Sequence, residues 1–382
     1  MQFTFHNPTR IHFGAGQIAR IAEEIPANAR ILLTFGGGSI HRNGVHAQVL
    51  AALAGRTVLE FGGIEPNPSY ETLIKAVELA RAEGIDYLLA VGGGSVLDGT
   101  KWIAAAVPFV GDPWDIISRQ APVTAAIPLG AVLTLPATGS EANGNAVISR
   151  HSTGEKLYFG SPLVFPKFAI LDPETTRSLV PRQVGNGIVD AFVHVCEQYL
   201  VSRPGTVVQD RQAEAILLAL RELGPAAAAG RSDPAVLAGV MWAATNALNT
   251  LIGCGVAQDW ATHAIGHEIT ALAGLDHAQT LAVVLPALLR HQKGLKHAKL
   301  LQYAERVWDL RDGTPEARIE AAIARTEAFF REVGVPTRLA DYHVDAGIAS
   351  QVAERLRRRG DLLGEARDLT PERVEALLRS AA

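Results

Sequence analysis

The first half of the chain alternates short apolar runs with helical patterns, and this alternation limits the possible folds more than any other feature. Apolar or β-branched runs, each bounded by Gly or Pro, cover residues 30–35, 57–61, 86–91 and 131–135. Helical periodicity covers residues 70–83 and 95–107. Such alternation predicts a parallel sheet with crossover helices, which binds ligands at the carboxyl ends of its strands.

From about Pro181 the pattern becomes helical almost throughout. Apolar periodicities cover residues 182–201, 207–229, 234–251 and 257–271, and further helical segments follow towards the C-terminus. We therefore predict an α/β domain over residues 1–180 and an all-α domain over residues 181–382. The cleft between two such domains is the expected place for a binding site.

Composition narrows the class of protein. The 382 residues carry a formal net charge of −4, so we expect neither a nucleic-acid partner nor a membrane partner. Two cysteines, Cys196 and Cys254, are too few for a disulfide framework and suit a reducing compartment. The N-terminus lacks the layout of a signal peptide, and the longest apolar run, residues 281–289, is interrupted by Pro286. We expect a cytoplasmic protein.

A histidine-rich stretch, WATHAIGHEITALAGLDHAQT, covers residues 260–280. His263 and His267 lie one helical turn apart, and His277 follows ten residues later. Upstream, Asp190 and His194 show the same spacing in another apolar helix. Residues at i and i+4 share one helix face, so two packed helices could gather these side chains around one divalent metal ion. Spacing alone favours His263 and His267 as a ligand pair, whereas a single histidine is more often a surface or core residue.

Two glycine-rich turns follow predicted strands. AVGGGSVLDG, residues 90–99, runs from a strand into a helix, and a pyrophosphate could bind Gly93, Gly94 and Ser95. The full GxGxxG spacing is absent, so a tight turn without a ligand explains this stretch equally well. The turn at residues 36–39 has no carboxylate to bind an adenosine ribose, and His41 and Arg42 follow it, which favours NADP over NAD. A solvent-exposed turn is the simpler alternative.

Six motifs, spread over nearly the whole chain, resemble the iron-containing (group III) alcohol dehydrogenase family. Within that family they are most similar to the branch of bacterial NADPH-dependent, broad-range aldehyde reductases and butanol dehydrogenases. The motifs are FGGIEPNPSYETL, LLAVGGGSVLDGTKWIAAA, VLTLPATGSEAN, GNGIVDAFVHVCEQY, MWAATNALN and QDWATHAIGHEITALAGLDHAQTLAVVLP. The resemblance implies a Rossmann-like dinucleotide-binding domain followed by a helical metal-binding domain, as in dehydroquinate synthase, and a homodimer.

The resemblance also assigns roles to residues. It implies that Asp190, His194, His263 and His277 hold one metal ion, and it makes His267 a neighbour of the metal that could move protons. One carboxylate and three imidazoles suit either zinc or iron. The implied contacts of NADP(H) are Gly37, Gly38, Ser39, Asn67, Gly93, Gly94, Ser95, Asp98, Thr134, Thr138, Lys156 and Leu179.

The predicted activity is hydride transfer between NADP(H) and a small aldehyde or primary alcohol, mainly as aldehyde reduction with broad specificity. A metal ion could polarise the carbonyl and stabilise the alkoxide. An NAD-preferring alcohol or diol dehydrogenase of the same family is the nearest alternative. A non-catalytic metal-binding or nucleotide-binding protein is another. A zinc hydrolase is remote, because Ala264, not Glu, follows His263 and the HExxH order is not met.

Overall fold

The computed structural model describes residues 2–201, 206–231 and 233–382. By internal contacts these residues form two compact units. One unit comprises residues 6–179 and 233–245, and the other comprises residues 2–5, 180–231 and 246–382, within the described ranges. Along the chain the unit changes between Phe5 and His6 and again between Leu179 and Val180, and residues 233–245 return to the first unit. The two continuous domains predicted from the sequence, 1–180 and 181–382, stay a prediction.

The first unit, which we call the nucleotide unit, is built on a six-stranded parallel sheet. Its strands run in the order β1-β8-β5-β4-β2-β3. Their bounds are β1 Arg10–Phe13, β2 Arg30–Phe35, β3 Thr57–Phe61, β4 Tyr87–Gly93, β5 Leu129–Leu135 and β8 Phe168–Leu171. A separate two-stranded sheet is formed by an antiparallel hairpin, β6 Asn145–Arg150 and β7 Glu155–Gly160. The predicted α/β class is confirmed.

The central strands form because they are buried on both faces. The residues of β4 and β5 are almost all inaccessible to solvent, which explains their continuous apolar runs. Helices of the nucleotide unit pack two separate apolar clusters against the sheet. The helices of this unit before residue 180 are α1 Ile21–Glu24, α2 Ser39–Arg42, α3 Val45–Ala52, α4 Tyr70–Ala82, α5 Gly94–Ala106 and α6 Asp115–Ser118.

The strand order contains a topological switch point. After β2 the chain moves outward to the edge strand β3, and it then returns to form β4 and β5 on the other side of β2. At such a point the loops after two adjacent parallel strands diverge and leave a crevice at their carboxyl ends. The crevice lies between the turn after β2, residues 36–39, and the turn after β4, residues 93–95.

The second unit, which we call the helical unit, consists of helices apart from short connections, within the residues described. Its helices are α7 Pro181–Tyr199, α8 Val207–Ala228, α10 Ala261–Ala273, α11 His277–His291, α12 His297–Trp308, α13 Pro315–Glu332, α14 Ile348–Arg359 and α15 Pro371–Ser380. One more helix, α9 Pro234–Ala247, begins in the nucleotide unit and ends in the helical unit. None of the described helices has the length and apolar character that a membrane span requires.

Some predicted elements need correction. The strands β1 and β8 and the hairpin were not predicted; β1 and β8 have only four residues each, too few for a clear periodicity. Helix α9 ends at Ala247 instead of 251. Thr250, beyond this end, has a left-handed φ of 76°, and a right-handed helix cannot continue through such a residue. Helix α10 starts at Ala261 instead of 257.

Candidate active site

Four side chains from three helices of the helical unit converge on one point. Asp190 and His194 lie one turn apart on α7, His263 lies in the first turn of α10, and His277 is the first residue of α11. Gly266 lets α10 approach α11 closely, because a Cβ at this position would lie 2.8 Å from the Thr280 hydroxyl oxygen. The close approach of these two helices brings His263 and His277 to the same point.

The distances between the polar atoms suit a shared metal ion. Asp190 Oδ1 lies 3.6 Å from His194 Nε2, 3.8 Å from His263 Nε2 and 3.7 Å from His277 Nε2. The Nε2 atoms of His194 and His263 are 3.0 Å apart. An ion with four tetrahedral bonds of about 2.1 Å separates its ligand atoms by about 3.4 Å, so the observed spacing fits.

The cluster is largely buried. The Asp190 side chain is 4% exposed and that of His277, the most accessible of the four, is 23% exposed. A carboxylate in such surroundings needs a compensating positive charge. The donor set of one carboxylate and three imidazoles therefore fits a divalent ion of the zinc or iron type.

A second buried carboxylate, Glu197, lies behind the cluster. One oxygen of Glu197 bonds to His263 Nδ1, and the other accepts a hydrogen bond of 3.1 Å from the backbone N–H of His263. An imidazole that donates from Nδ1 presents the lone pair of Nε2 on its other side. Glu197 thus holds His263 in the tautomer and orientation that a metal ligand requires.

The charges around His263 favour a cation. Burial lowers the pKa of His263, but the negative charge of Glu197 and hydrogen bonds to Asp190 and Glu197 outweigh burial and raise this pKa to about 9. Burial also raises the pKa of Glu197, and the charge of His263 opposes that shift. The negative charges that favour a proton on His263 would equally favour a metal ion at Nε2.

His267 lies beside this cluster, facing His277. Their ring centroids are 5.2 Å apart, and the ring of His267 lies 6.2 Å from that of His263. Asp190, His263 and His277 offer ligand atoms within 4.8 Å of one another, a group that includes neither His194 nor His267. Of these two, His194 has Nε2 3.6 Å from Asp190 Oδ1 and 3.0 Å from His263 Nε2. The choice between His277 and His267 as a ligand stays a prediction.

In the nucleotide unit, the predicted pyrophosphate turn forms the start of α5. Gly93 precedes the helix, Gly94 is its first residue and Ser95 follows. A Cβ on Gly94 would lie 2.5 Å from the methyl carbon of Thr138, so only glycine allows Thr138 to approach this helix start. Backbone N–H groups at the start of a 13-residue helix favour a phosphate, so the cradle fits the predicted ligand.

Two further predicted cofactor residues, Asn67 and Lys156, are linked to this turn by hydrogen bonds. The backbone N–H of Asn67 donates to the Ser95 hydroxyl at 3.3 Å, and Lys156 Nζ donates to Asn67 Oδ1 at 2.8 Å. Asn67 has a positive φ of 56°, which is uncommon outside glycine and indicates a constrained backbone. Asn67, Ser95 and Lys156 are thus connected by hydrogen bonds.

The remaining predicted cofactor residues are spread over the same unit. Thr134 lies near the end of β5 and is buried. The Asp98 carboxylate accepts hydrogen bonds from the Ser140 hydroxyl at 2.6 Å and from the Val147 backbone at 2.9 Å. Both oxygens of Asp98 therefore accept hydrogen bonds from groups of the nucleotide unit itself, one of them in β6. Leu179 is the last residue of the first segment of the nucleotide unit, and its N–H donates to the Thr176 carbonyl.

The turn after β2 contains no carboxylate. Gly37 has nothing within 4 Å of where a Cβ would stand, and Gly38 has a left-handed φ of 87°. Ser39 then begins the short helix α2, whose last residues are His41 and Arg42. The turn itself is open and carries no negative charge, and the nearby carboxylate of Glu60 is hydrogen-bonded to His46.

Comparison with known proteins decides the family. The model described as "Iron-containing alcohol dehydrogenase" matches residues 8–173, and the model described as "Fe-containing alcohol dehydrogenase family, C-terminal" matches residues 185–382. The chain belongs to the iron-containing alcohol dehydrogenase family. The resemblance predicted from the six motifs is confirmed.

Relatives of this family match the chain along its length. The NADPH-dependent aldehyde reductase YqhD of Escherichia coli K12 is 57% identical over 372 residues, which is 96% of each chain. The crystal structure of E. coli K-12 YqhD superposes with a TM-score of 0.98 and 55% identity, covering 100% of this chain and 99% of that one. The NADH-dependent butanol dehydrogenase A of Thermotoga maritima gives a TM-score of 0.95 at 33% identity, covering 100% and 98%.

Sequence reasoning missed residues that hold the helices of the candidate metal cluster in place. Asp276 precedes α11 and accepts hydrogen bonds from Arg182 and Asn186 of α7, which fixes the start of the helix at His277. The buried Lys296 donates to the carboxylate of Asp259, two residues before α10.

Glu197 was also missed, although the sequence held a signal for it. It lies in the same apolar helical pattern as Asp190, three residues after His194. A carboxylate at a position that the pattern predicts to be buried needs a partner. This reasoning, which applies to Asp190 as well, identifies Glu197 as a residue that needs a partner.

Proposed function

We propose that this member of the iron-containing alcohol dehydrogenase family transfers hydride between NADP(H) and small aldehydes or primary alcohols, mainly as an aldehyde reductase. The observation that carries the proposal is the convergence of Asp190 Oδ1 with three imidazole Nε2 atoms, at 3.6–3.8 Å from that oxygen. The 57% identity with an NADPH-dependent aldehyde reductase supports the same chemistry.

Asp190, His194, His263 and His277 would hold one divalent metal ion. Bound there, the ion would supply a Lewis acid for the carbonyl oxygen, and NADPH would supply the hydride. Zinc and iron both suit this set of donors. The family's name favours iron.

The protein's own residues prepare this site. Glu197 keeps the proton of His263 on Nδ1 and so leaves Nε2 available. Arg182 and Asn186 hold Asp276, which sets the position of His277. We assign His267 the task of carrying a proton at one of its ring nitrogens to or from the reacting oxygen, because the ordinary pKa of histidine lies near neutrality.

The preference for NADP is supported by the turn after β2. NAD-binding folds place a carboxylate near such a turn to accept hydrogen bonds from the ribose, and a carboxylate would repel a 2′-phosphate. Here Gly37 and Gly38 leave space and Ser39 offers a hydroxyl. Gly93, Gly94 and Ser95 would bind the pyrophosphate. The further contacts we propose are Asn67, Asp98, Thr134, Thr138, Lys156 and Leu179.

Two finer features are expectations from the family and the composition. We propose a homodimer, which light scattering coupled to size-exclusion chromatography would test. We propose a cytoplasmic location, since Cys196 and Cys254 are free thiols that suit a reducing compartment, and cell fractionation would test it.

The deciding experiment is an aldehyde-dependent oxidation of NADPH by protein of known metal content. Turnover should disappear when a chelator removes the metal and should return when zinc or iron is restored. Metal-independent turnover, or no turnover with any small aldehyde, contradicts the proposal. The alternative, an NAD-preferring alcohol dehydrogenase, predicts a higher kcat/KM with NADH than with NADPH.

A further inference from the structure

A second cluster of metal-binding side chains lies in the nucleotide unit, apart from the residues assigned above. His41 belongs to α2, His46 to α3 and Glu60 to β3. Each offers one ligand atom, and these atoms lie within 4.8 Å of one another. His46 Nε2 is 3.0 Å from Glu60 Oε2, and the ring centroids of the two histidines are 4.1 Å apart.

The backbone holds these three side chains together from separate elements. Glu60 is in register with Leu33 of β2, so the sheet fixes its position. The ring of Phe35, at the end of β2, packs edge-on against His41 at 5.1 Å and against His46 at 6.2 Å. Gly44, with a left-handed φ of 80°, turns the chain between the two histidines. The arrangement is therefore part of the folded unit.

The chemistry of the three side chains selects a class of cation. Two imidazoles and one carboxylate suit zinc, cobalt, nickel or copper, whereas magnesium and calcium prefer oxygen ligands throughout. Three protein ligands leave at least one position on the ion open. The side chain of His46 is 17% exposed and that of Glu60 is 38% exposed, so an ion can reach the cluster from solvent.

We propose that His41, His46 and Glu60 bind one divalent transition-metal ion, zinc being the probe of choice, and that this ion strengthens NADPH binding relative to NADH. The cluster adjoins the turn after β2: the His41 N–H donates to the Gly38 carbonyl, and a Cβ on Gly38 would lie 3.5 Å from the His41 ring. A 2+ ion beside this turn attracts a 2′-phosphate. The second part rests on the proposed function, while metal binding by the cluster does not.

Equilibrium dialysis against zinc tests the site, with the Asp190 cluster loaded and measured beforehand. The wild-type chain should bind one zinc ion more than His46→Gln, or bind it at least about tenfold more tightly. Glu60→Gln should show the same loss. The control is His151→Gln: His151 also lies near a carboxylate, 3.9 Å from that of Glu65, but among the residues described it belongs to no such group.

Equal zinc uptake by wild type, His46→Gln and Glu60→Gln overturns the site and leaves an ordinary surface ion pair. Thermal unfolding by circular dichroism identifies a variant that fails to fold, in which case the other variant decides. A loss in both cluster variants, with normal uptake by His151→Gln, supports the proposal.

Fluorescence titrations with NADPH and NADH, with and without zinc, test the coupling. Zinc should lower the Kd for NADPH several-fold in the wild type, leave the Kd for NADH nearly unchanged, and have no effect on His46→Gln. Zinc binding without any change in these constants overturns the coupling. If the chain binds neither dinucleotide, the proposed function fails, and the dialysis result still decides the metal site.

Discussion

Glu197→Gln is the most informative single change, because it alters the support of a metal ligand without touching a ligand. Glu197 accepts two hydrogen bonds from His263, one from Nδ1–H and one from the backbone N–H. A glutamine amide has one accepting oxygen and one donating nitrogen. If the amide oxygen faces Nδ1–H, the amide nitrogen replaces the carboxylate oxygen that lies 3.1 Å from the backbone nitrogen of His263. Two N–H donors then face each other and the hydrogen bond is lost.

The opposite amide orientation has a different cost. The amide nitrogen then donates to His263 Nδ1, which moves the ring proton to Nε2, the atom that faces Asp190 and the other histidines. A protonated Nε2 cannot bind a metal. Either orientation therefore disfavours the metal-bound state, and loss of a carboxylate behind a ligating histidine costs roughly 10- to 100-fold in metal affinity. At 1.4 kcal/mol per factor of ten, this is about 1.4–2.8 kcal/mol.

The assay is competition for zinc between the protein and a chromophoric chelator of known affinity. Two-dimensional ¹⁵N NMR of the histidine side chains reports the tautomer of His263 independently of activity. Glu214→Gln is the matched control, because Glu214 is another buried glutamate with several hydrogen bonds, to Tyr199, Gln302 and Arg306, but with none to the cluster. Wild-type zinc affinity in Glu197→Gln, together with an unchanged tautomer of His263, would refute the reasoning.

The remaining predictions concern the metal ligands, the cofactor turn and pH. His277→Ala should lower the metal content at least about tenfold, whereas His267→Ala should keep the metal and slow turnover by roughly 100-fold; metal analysis beside kinetics separates them, and the reverse pattern restores the pairing of His263 with His267. Gly37→Asp should weaken NADPH binding several-fold relative to NADH, since a carboxylate about 6 Å from the 2′-phosphate costs on the order of 1 kcal/mol; an unchanged ratio of the two Kd values excludes a contact at this turn. Burial lowers the pKa of Lys101 from 10.5 to about 8. Between these pH values the unfolded chain binds more protons than the folded chain, so the free energy of unfolding rises with pH. Lys101→Met should make this rise smaller in denaturant titrations at several pH values, and an equal rise in both proteins contradicts the prediction.

The sheet could be predicted where burial imposed a strong pattern. The runs at residues 30–35 and 57–61 coincide with β2 and β3. The four-residue strands β1 and β8 could not be predicted, because their positions depend on pairing with β8 and β5, far along the chain. Strand order was beyond reach for the same reason, although it creates the switch point beside residues 36–39 and 93–95.

The candidate metal cluster shows where local spacing stops being informative. Asp190 and His194 were identifiable because both lie on one helix, where periodicity relates them. His277 belongs to a separate helix: Gly274, with a left-handed φ of 69°, ends α10, and Asp276 begins α11. The packing of α10 on α11 is what brings His277 Nε2 to 3.7 Å from Asp190 Oδ1, and this packing cannot be read from spacing within one helix. The prediction of His277 as a ligand came from the family resemblance.

The division of the four candidate ligands among helices sets an order for building the centre. Asp190 and His194 are correctly spaced as soon as α7 has coiled, whereas His263 and His277 require α10 and α11 to dock against it. Before these helices dock, the chain could offer an ion only two ligands. An ion held by all four residues would bind only the assembled helices and would therefore stabilise the folded unit.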